Sequence, residues 1–491
     1  MSRAQGPGGA PRPAFTTRLD QNKYLPAGGK GSAHAILTVE ADGLDRLAGR
    51  ADCAEVIVID CSGSMNWPST KMAAARRAAA AAVEVLRDGT RFALVEGTDR
   101  ARVVYPPDGR MAVAGPDSRG DAAHVAAGLV AAGGTAIAAW LTCALGLLSA
   151  QDAPIRHALL LTDGRDEHDR PGELERALDA CAGRFTCDAR GIGGQWAATE
   201  LRGIAGRLHG VADAVEDDSD LEAEFRAMMT SAMAKALPDL RIRVSLREGS
   251  ELAFFKQVFP VELDLTGEGV RLDDLTVEFP TGAWGDETRE FQLCVTAEPA
   301  GDPRGRDLQA ALVSLAPGPA GGTPPLALPP PGSLLIHWTD DHALSTHVHP
   351  RVAHYGGYAD LGRAVTAGCE AYERGDRETA RAEWGRALRL AGELGDEKML
   401  RRLGRLVRAD LPGGEVGLRG DLSPGDLNSA WVAEGHSTRW TEPPQPLPRA
   451  VPPPRESADR ACPRCGRVSA GTDQHCTGCG LALTPTPGNP A

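Results

Sequence analysis

Between Ala54 and Ala236 short apolar runs alternate with stretches of helical periodicity. The runs AEVIVID (54–60), RFALVEG (91–97), ARVVYP (101–106), HALLLT (157–162), TCDARGI (186–192) and VADAVE (211–216) are short, bounded by turn residues and rich in strand formers, so they predict strands. Helices are predicted near 72–86, 117–130, 136–149, 172–183, 197–208 and 220–236. In the first of these Met72, Ala75, Ala79, Val83 and Leu86 recur at spacings of three and four, leaving Arg76, Arg77 and Glu84 outside the apolar stripe. Strands that alternate with helices predict a doubly wound α/β unit whose parallel sheet is covered on both faces.

After Pro238 the helical signal stops and strand signals follow one another: LRIRVSLRE, AFFKQVFP, VELDLT, LTVEFP, REFQLCVTAE, DLQAALVSLA and LLIHW. Consecutive strands with Gly and Pro turns predict an antiparallel β-sandwich. Residues 32–42, SAHAILTVEAD, have the same character and are expected to supply it with a strand, which makes the α/β unit an insertion. The Pro-rich stretch 317–332 then reads as a loop inside the sandwich, with a domain boundary as the competing reading. Helical periodicity returns over 359–408, where Ala371-Tyr372, Gly375-Asp376, Ala380, Trp384 and Ala387-Leu388 resemble the second half of a tetratricopeptide repeat and its turn. One copy has no neighbours to bury its faces, so a helical hairpin packed against the sandwich is expected.

Length and charge narrow the picture. A chain of 491 residues is too long for one core. Its 53 basic and 66 acidic side chains leave a net charge of -13, which disfavours wholesale attraction to nucleic acid or an anionic membrane. The first twenty residues lack the apolar run of a signal peptide. Residues 122–151 carry no charged side chain and meet the bare length test for a membrane span, but their Ala and Gly content and the Gly133-Gly134 pair favour two helices buried in a soluble domain. Cysteines at 53, 61, 143, 181, 187, 294 and 369 follow no framework spacing, as expected of thiols kept reduced in the cytoplasm.

The chemistry is concentrated where strands end. D-C-S-G-S-M, Asp60 to Met65, lies at the end of a predicted buried strand, the edge at which open α/β sheets bind ligands. Thr135 in GGTAI opens a helix, and Asp163 in LLLTDG ends another strand. Together these elements, over about residues 52–236, resemble the metal-ion-dependent adhesion site of the von Willebrand factor A domain family: D-x-S-x-S, then a Thr, then an Asp. The resemblance implies that Ser62 and Ser64 bind a metal directly, while Asp60, Thr135 and Asp163 act directly or through water. An all-oxygen set suits Mg2+, or Mn2+ or Ca2+ in its place, and suits zinc poorly. Two carboxylates at most neutralise the ion, so it stays electrophilic toward one more anionic oxygen, in this family an Asp or Glu carboxylate of a protein partner.

Enzyme readings lack their residues. A haloacid dehalogenase-type phosphatase needs a second Asp where Ser62 stands, and neither Ser62 nor Ser64 lies in G-x-S-x-G. No G-x-x-x-x-G-K-[ST] phosphate loop occurs. Asp166, Glu167, His168 and Asp169 follow Asp163 and are expected to form a solvated loop, with tuning of partner choice as the alternative. The cluster His337, His342, His347, His349 and His354 has spacings that match neither one helix face nor one strand face, so a junction between sandwich and helices is favoured over a metal site.

Near the C-terminus C-P-R-C-G is followed by C-T-G-C-G. Cys462, Cys465, Cys476 and Cys479 then form two knuckles that supply four thiolates for tetrahedral Zn2+. The inter-pair loop is short enough to allow only a small hairpin. The stretch from HWTDD through VAHYGGYADLGRAV to HSTRW resembles a group of actinobacterial A-domain proteins, a resemblance that implies cytoplasmic signalling beside kinases and phosphatases.

The expected organisation is therefore multidomain: a disordered start (1–14), N-terminal sandwich strands (15–50), the A domain (51–237), the β-sandwich (238–345), a helical region (346–440), a Pro-rich linker (441–457), a zinc ribbon (458–483) and a disordered tail (484–491). The expected function is a non-enzymatic, metal-dependent protein-binding scaffold. The alternatives are a nucleic-acid-associated regulator that uses the ribbon and a metal-dependent hydrolase.

Overall fold

The computed structural model of the protein describes residues 13–48, 52–299, 301–318, 326–408, 416–420, 422–442, 460–462 and 464–469. Two compact units divide it, Met1–Arg439 and Trp440–Ala491. The first unit opens with β1 (Ala14–Gln21), β2 (Tyr24–Pro26), β3 (Gly31–Asp42) and a single helical turn, α1 (Asp45–Ala48).

The α/β segment follows as β4 (Cys53–Asp60), α2 (Ser69–Glu84), β5 (Arg91–Gly97), β6 (Ala101–Tyr105), β7 (Ala112–Val113), α3 (Pro116–Ala127), α4 (Ile137–Ser149), β8 (Ile155–Thr162), α5 (Glu173–Cys181), β9 (Thr186–Ile192), α6 (Ala198–Arg207), β10 (Ala212–Val215) and α7 (Leu221–Met233). Its sheet runs β10-β9-β8-β4-β5-β6, with β7 also on β5. From β10 to β5 the strands are parallel. The expectation of a wholly parallel sheet fails at the far edge, where β6 and β7 run antiparallel to β5. Only Thr98, Asp99 and Arg100 separate β5 from β6, enough for a hairpin and too few for a crossover.

All eight residues of β4 are buried, as expected for a central strand covered on both faces. Val56 and Val58 face a core shared with Ile137, Trp140 and Leu141 of α4, while Ile57 and Ile59 face Met72, Ala75 and Ala79 of α2 and Phe225 of α7. The period of two along one strand thus distributes its side chains between two helical layers.

Beyond the α/β segment come β11 (Leu240–Leu246), β12 (Ser250–Phe259), β13 (Leu263–Asp264), β14 (Val270–Arg271), β15 (Thr276–Pro280), β16 (Thr288–Ala297), β17 (Asp307–Pro317) and β18 (Gly332–Thr339). They form two sheets, β1-β3-β16-β12-β13 and β14-β15-β11-β17-β18-β2. Phe15, Leu37 and Val39 from the first strands bury beside Ile242, Phe255, Phe279, Phe291 and Trp338 from the later ones. β3 pairs antiparallel with β16 from Glu40 opposite Thr288 to Gly31 opposite Ala297. β17 and β18 pair across the Pro-rich stretch, and β2 is parallel to β18.

Helices complete the unit: α8 (His342–Ser345), α9 (Pro350–Glu373), α10 (Arg377–Leu394), α11 (Glu397–Leu406) and α12 (Pro424–Val432), with β19 (Val407–Arg408) paired to β20 (Gly417–Leu418). The tetratricopeptide-like turn is present, with Gly375 at φ +83 and Asp376 capping α10 by accepting from the Thr379 amide at 3.0 Å. The helices do not pack solely against the β-rich part. Val352 and Tyr355 of α9 meet Ile36 and Val258 there, but Leu361, Trp384, Leu403 and Trp431 share the core of Trp140, Trp196 and Leu201 on the α/β segment. At 24 residues α9 is about 36 Å long, enough to reach both.

Among the described residues no helix is long and apolar enough to cross a membrane. The uncharged stretch 122–151 is divided between α3 and α4 by a loop in which Gly133 adopts φ +91. In the second unit β21 (Arg460–Ala461) pairs antiparallel with β22 (Val468–Ser469).

Candidate metal centre

Because β4 and β8 are parallel neighbours, with Ile59 opposite Leu161, their C-terminal ends deliver Asp60, Thr162 and Asp163 to one edge of the sheet. Asp60 is fully buried. Its Oδ1 accepts from the Ser62 amide at 2.7 Å, and its Oδ2 accepts from Thr162 Oγ1 at 2.6 Å and from the Asp163 amide at 3.3 Å. Burial pushes its carboxyl up to about 6, with the Asp163 charge adding to the effect and these hydrogen bonds opposing it.

The chain after Asp60 makes one 3-10 turn, Gly63–Asn66, before α2 begins. That turn lays Ser62 Oγ 2.9 Å from Ser64 Oγ, and Ser64 Oγ donates to Asp163 Oδ1 at 2.6 Å. Ser62 and Asp163 are buried, and Ser64 is half-buried at the mouth. The Gly63 amide donates to the Gly133 carbonyl at 2.9 Å and the Ala132 amide to the Cys61 carbonyl at 2.6 Å, which ties the serine loop to the loop that carries Thr135.

Thr135 approaches from that loop. A Cβ at Gly164 would lie 2.9 Å from Thr135 Oγ1, so the glycine after Asp163 leaves room for the hydroxyl. The Thr135 carbonyl accepts from the amides of Glu167 and His168 at 3.2 and 3.0 Å, and its amide donates to His168 Nδ1 at 3.2 Å. All five expected residues thus converge. Their oxygen-only donor set, with two buried carboxylates and three hydroxyls, fits a hard divalent cation.

Sequence reading missed three participants, Lys71, Thr162 and Trp67, and favoured a solvated turn for the loop 166–169. Lys71, in the first turn of α2, is buried with its Nζ 2.6 Å from Asp163 Oδ2. Thr162 holds Asp60, and its only signal was its place beside Asp163. The loop 166–169 is more than a solvated turn: His168 packs on Gly134, where a Cβ would come within 2.1 Å of the ring, and Asp169 Oδ2 accepts from the Ala138 amide at 2.5 Å, at the start of α4. Trp67, three residues past Ser64, is 81% exposed beside the turn.

In the second unit the Gly466 amide donates to the Cys462 carbonyl at 2.9 Å and the Cys462 amide to the Arg467 carbonyl at 2.9 Å, and Gly466 has φ +68. Cys476 and Cys479 lie outside the described residues. The histidine cluster is dispersed. His337 Nδ1 lies 2.8 Å from Asp307 Oδ1, His349 caps α9 by accepting from the Arg351 amide, and His354 Nε2 lies 2.9 Å from the Thr438 carbonyl oxygen.

A family model of the von Willebrand factor type A domain matches residues 55–214. The solved von Willebrand factor type A protein of Catenulispora acidiphila is 39% identical, with a TM-score of 0.80 over 87% of this chain and 98% of that one. This share extends well beyond the segment matched by the family model. A paralog of ArnB, VWA2 of Sulfolobus acidocaldarius, shares the fold with a TM-score of 0.53 at 14% identity, over 86% of this chain and 98% of its own. No curated protein matched. Domains of this type are known as metal-dependent protein-interaction modules. By its 39% identity to the solved Catenulispora acidiphila protein over most of both chains, the chain belongs to the von Willebrand factor type A family.

Proposed function

We propose that the protein is a non-enzymatic scaffold that uses a divalent ion, Mg2+ or in its place Mn2+ or Ca2+, at Asp60, Ser62, Ser64, Thr135 and Asp163 to capture an exposed Asp or Glu carboxylate of a protein partner. The observation that carries this reading is the chain of short contacts from Ser62 through Ser64 to Asp163, which gathers oxygens from two strand ends at a half-open mouth. Exposed Trp67 beside that mouth offers an apolar anchor of the kind that dominates interface energetics. We take the two flanking sheets as one β-sandwich into which the A domain is inserted, with the helical region after it. Cys462, Cys465, Cys476 and Cys479 form a zinc ribbon in this reading. The setting is cytoplasmic signalling, beside kinases and phosphatases.

The test is co-purification of wild type, Asp60→Ala and Thr135→Ala with Mg2+ and with EDTA, with circular dichroism to verify folding. Loss of partners on chelation and in folded Asp60→Ala supports the reading. Thr135→Ala removes one neutral ligand, so metal is retained while partner affinity falls. Survival of every partner under both treatments would overturn it. For the ribbon, Cys465→Ser should lose stoichiometric zinc.

A further inference from the structure

A buried ammonium is an expensive neighbour for a cation site. Lys71 is 4% exposed, and its Nζ lies 2.6 Å from Asp163 Oδ2 while Ser64 takes the other oxygen of the same carboxylate. A second element shapes its place: Gly193, just past the end of β9, has φ +72, and a Cβ there would come within 2.7 Å of Lys71 Cε and 3.0 Å of Nζ. The lysine stem therefore runs through a slot that two separate segments leave open. Withdrawing an ammonium from water is costly unless a partner compensates.

We propose that Lys71 is a resident counter-cation that weakens metal binding and strengthens capture of the partner's carboxylate. The inference rests on the metal-dependent reading above and deepens it. The buried charges are Asp60 and Asp163, each negative, and Lys71, positive. Without the lysine a divalent ion would neutralise the site. With it, the loaded site keeps one net positive charge, directed at whatever fills the ion's open position. Lys71 also occupies Asp163 Oδ2, so Asp163 is left to present Oδ1, the oxygen that faces the serines, as a single-oxygen ligand. The ammonium thus exchanges affinity for the ion against affinity for an incoming anion, and it positions the carboxylate that does the binding.

The test uses the full chain and Mn2+ alone, titrated by calorimetry with electron paramagnetic resonance to count bound ion. Lys71→Met should bind Mn2+ roughly tenfold more tightly or better, since a repulsive unit charge a few ångströms away is gone. Lys71→Arg should stay near wild type. Lys71→Gln keeps a hydrogen-bond donor without the charge; it guards against loss of fold and should also tighten. The second readout is acetate, a monocarboxylate probe, followed by Mn2+ broadening of its methyl resonance. Acetate should bind several-fold more weakly to the Mn2+-loaded Lys71→Met and Lys71→Gln proteins than to wild type. A merely structural lysine would not move the two affinities in opposite directions. Equal or weaker Mn2+ binding by both neutral variants, with wild type binding normally, overturns the role of Lys71 and leaves the metal site standing. Failure of Mn2+ to bind wild type and variants alike overturns both.

Discussion

Arg402 of α11 donates to Asp213 of β10 at 2.6 Å, a buried pair where the last helices meet the edge strand of the α/β sheet. Lys398 Nζ reaches the other Asp213 oxygen at 2.7 Å, and Arg402 also reaches Glu216 at 3.1 Å. Burial alone would raise the Asp213 carboxyl, but His436, Arg402 and Lys398 hold it well below the usual carboxylate range. Removing one partner of a buried pair leaves an uncompensated charge, so Arg402→Met should cost about 3 kcal/mol in urea denaturation. A change below ~0.5 kcal/mol would show that Lys398 alone satisfies Asp213.

Stability should also depend on His157. Burial disfavours its imidazolium, but Glu55 at 2.5 Å and Asp188 at 3.3 Å prevail and push it up to about 10. A folded pKa raised above 6.5 gives stability that is full below 6.5 and is lost as the pH rises through about 10. The urea midpoint of wild type should therefore fall across that window, whereas His157→Gln starts lower and changes less. Parallel pH profiles for the two proteins would count against this.

The close approach of β5 to α4 gives a third prediction. A Cβ on Gly97 would lie 2.6 Å from the ring of Trp140, which is fully buried and donates Nε1 to the Thr98 carbonyl at 2.7 Å. Gly97→Ala should cost ~1–3 kcal/mol through overpacking. Because α4 carries the loop of Thr135, Mn2+ affinity should fall with it. An unchanged denaturation midpoint would mean that the indole yields freely.

Deleting the first 45 residues removes β1 to β3. β16 then loses its pairing partner from Gly31 to Glu40, and the apolar positions that Leu37 and Val39 cover are opened. The truncated chain should aggregate on size-exclusion chromatography. A monodisperse, cooperatively unfolding product would show that β12 and β16 suffice alone.

Periodicity made the α/β core legible, because β4, β5 and β8 hold continuous apolar runs and α2 carries an apolar stripe. The five candidate site oxygens were legible for a different reason: they fall into three short motifs, one after β4, one before α4 and one after β8. β1 and β2 were not. AFTTRLDQ has apolar residues only at Ala14, Phe15 and Leu19 and is stabilised by its pairing with β3, and the three residues of β2 hold their place through β18. Lys71 escaped notice because it reads as the solvated side of a helix; its burial depends on Gly193, more than a hundred residues away. The second docking face of the last helices, on the α/β segment, was not legible for the same reason, since Arg402 and Asp213 meet only in three dimensions.

The pairing of β3 with β16 also sets a timetable. Roughly 250 residues separate the two strands, so a ribosome adding ~5–20 residues per second needs ~12–50 s between them. During that interval β1 and β3 can hold each other as a hairpin, but the second edge of β3 has no native neighbour. Among the described residues β4 to β10 pair with one another alone, so their sheet can close while the sheet begun before it waits. Anything that slows synthesis between Met233 and Thr288, after the α/β segment is complete, lengthens the exposure of that edge without touching the candidate metal centre.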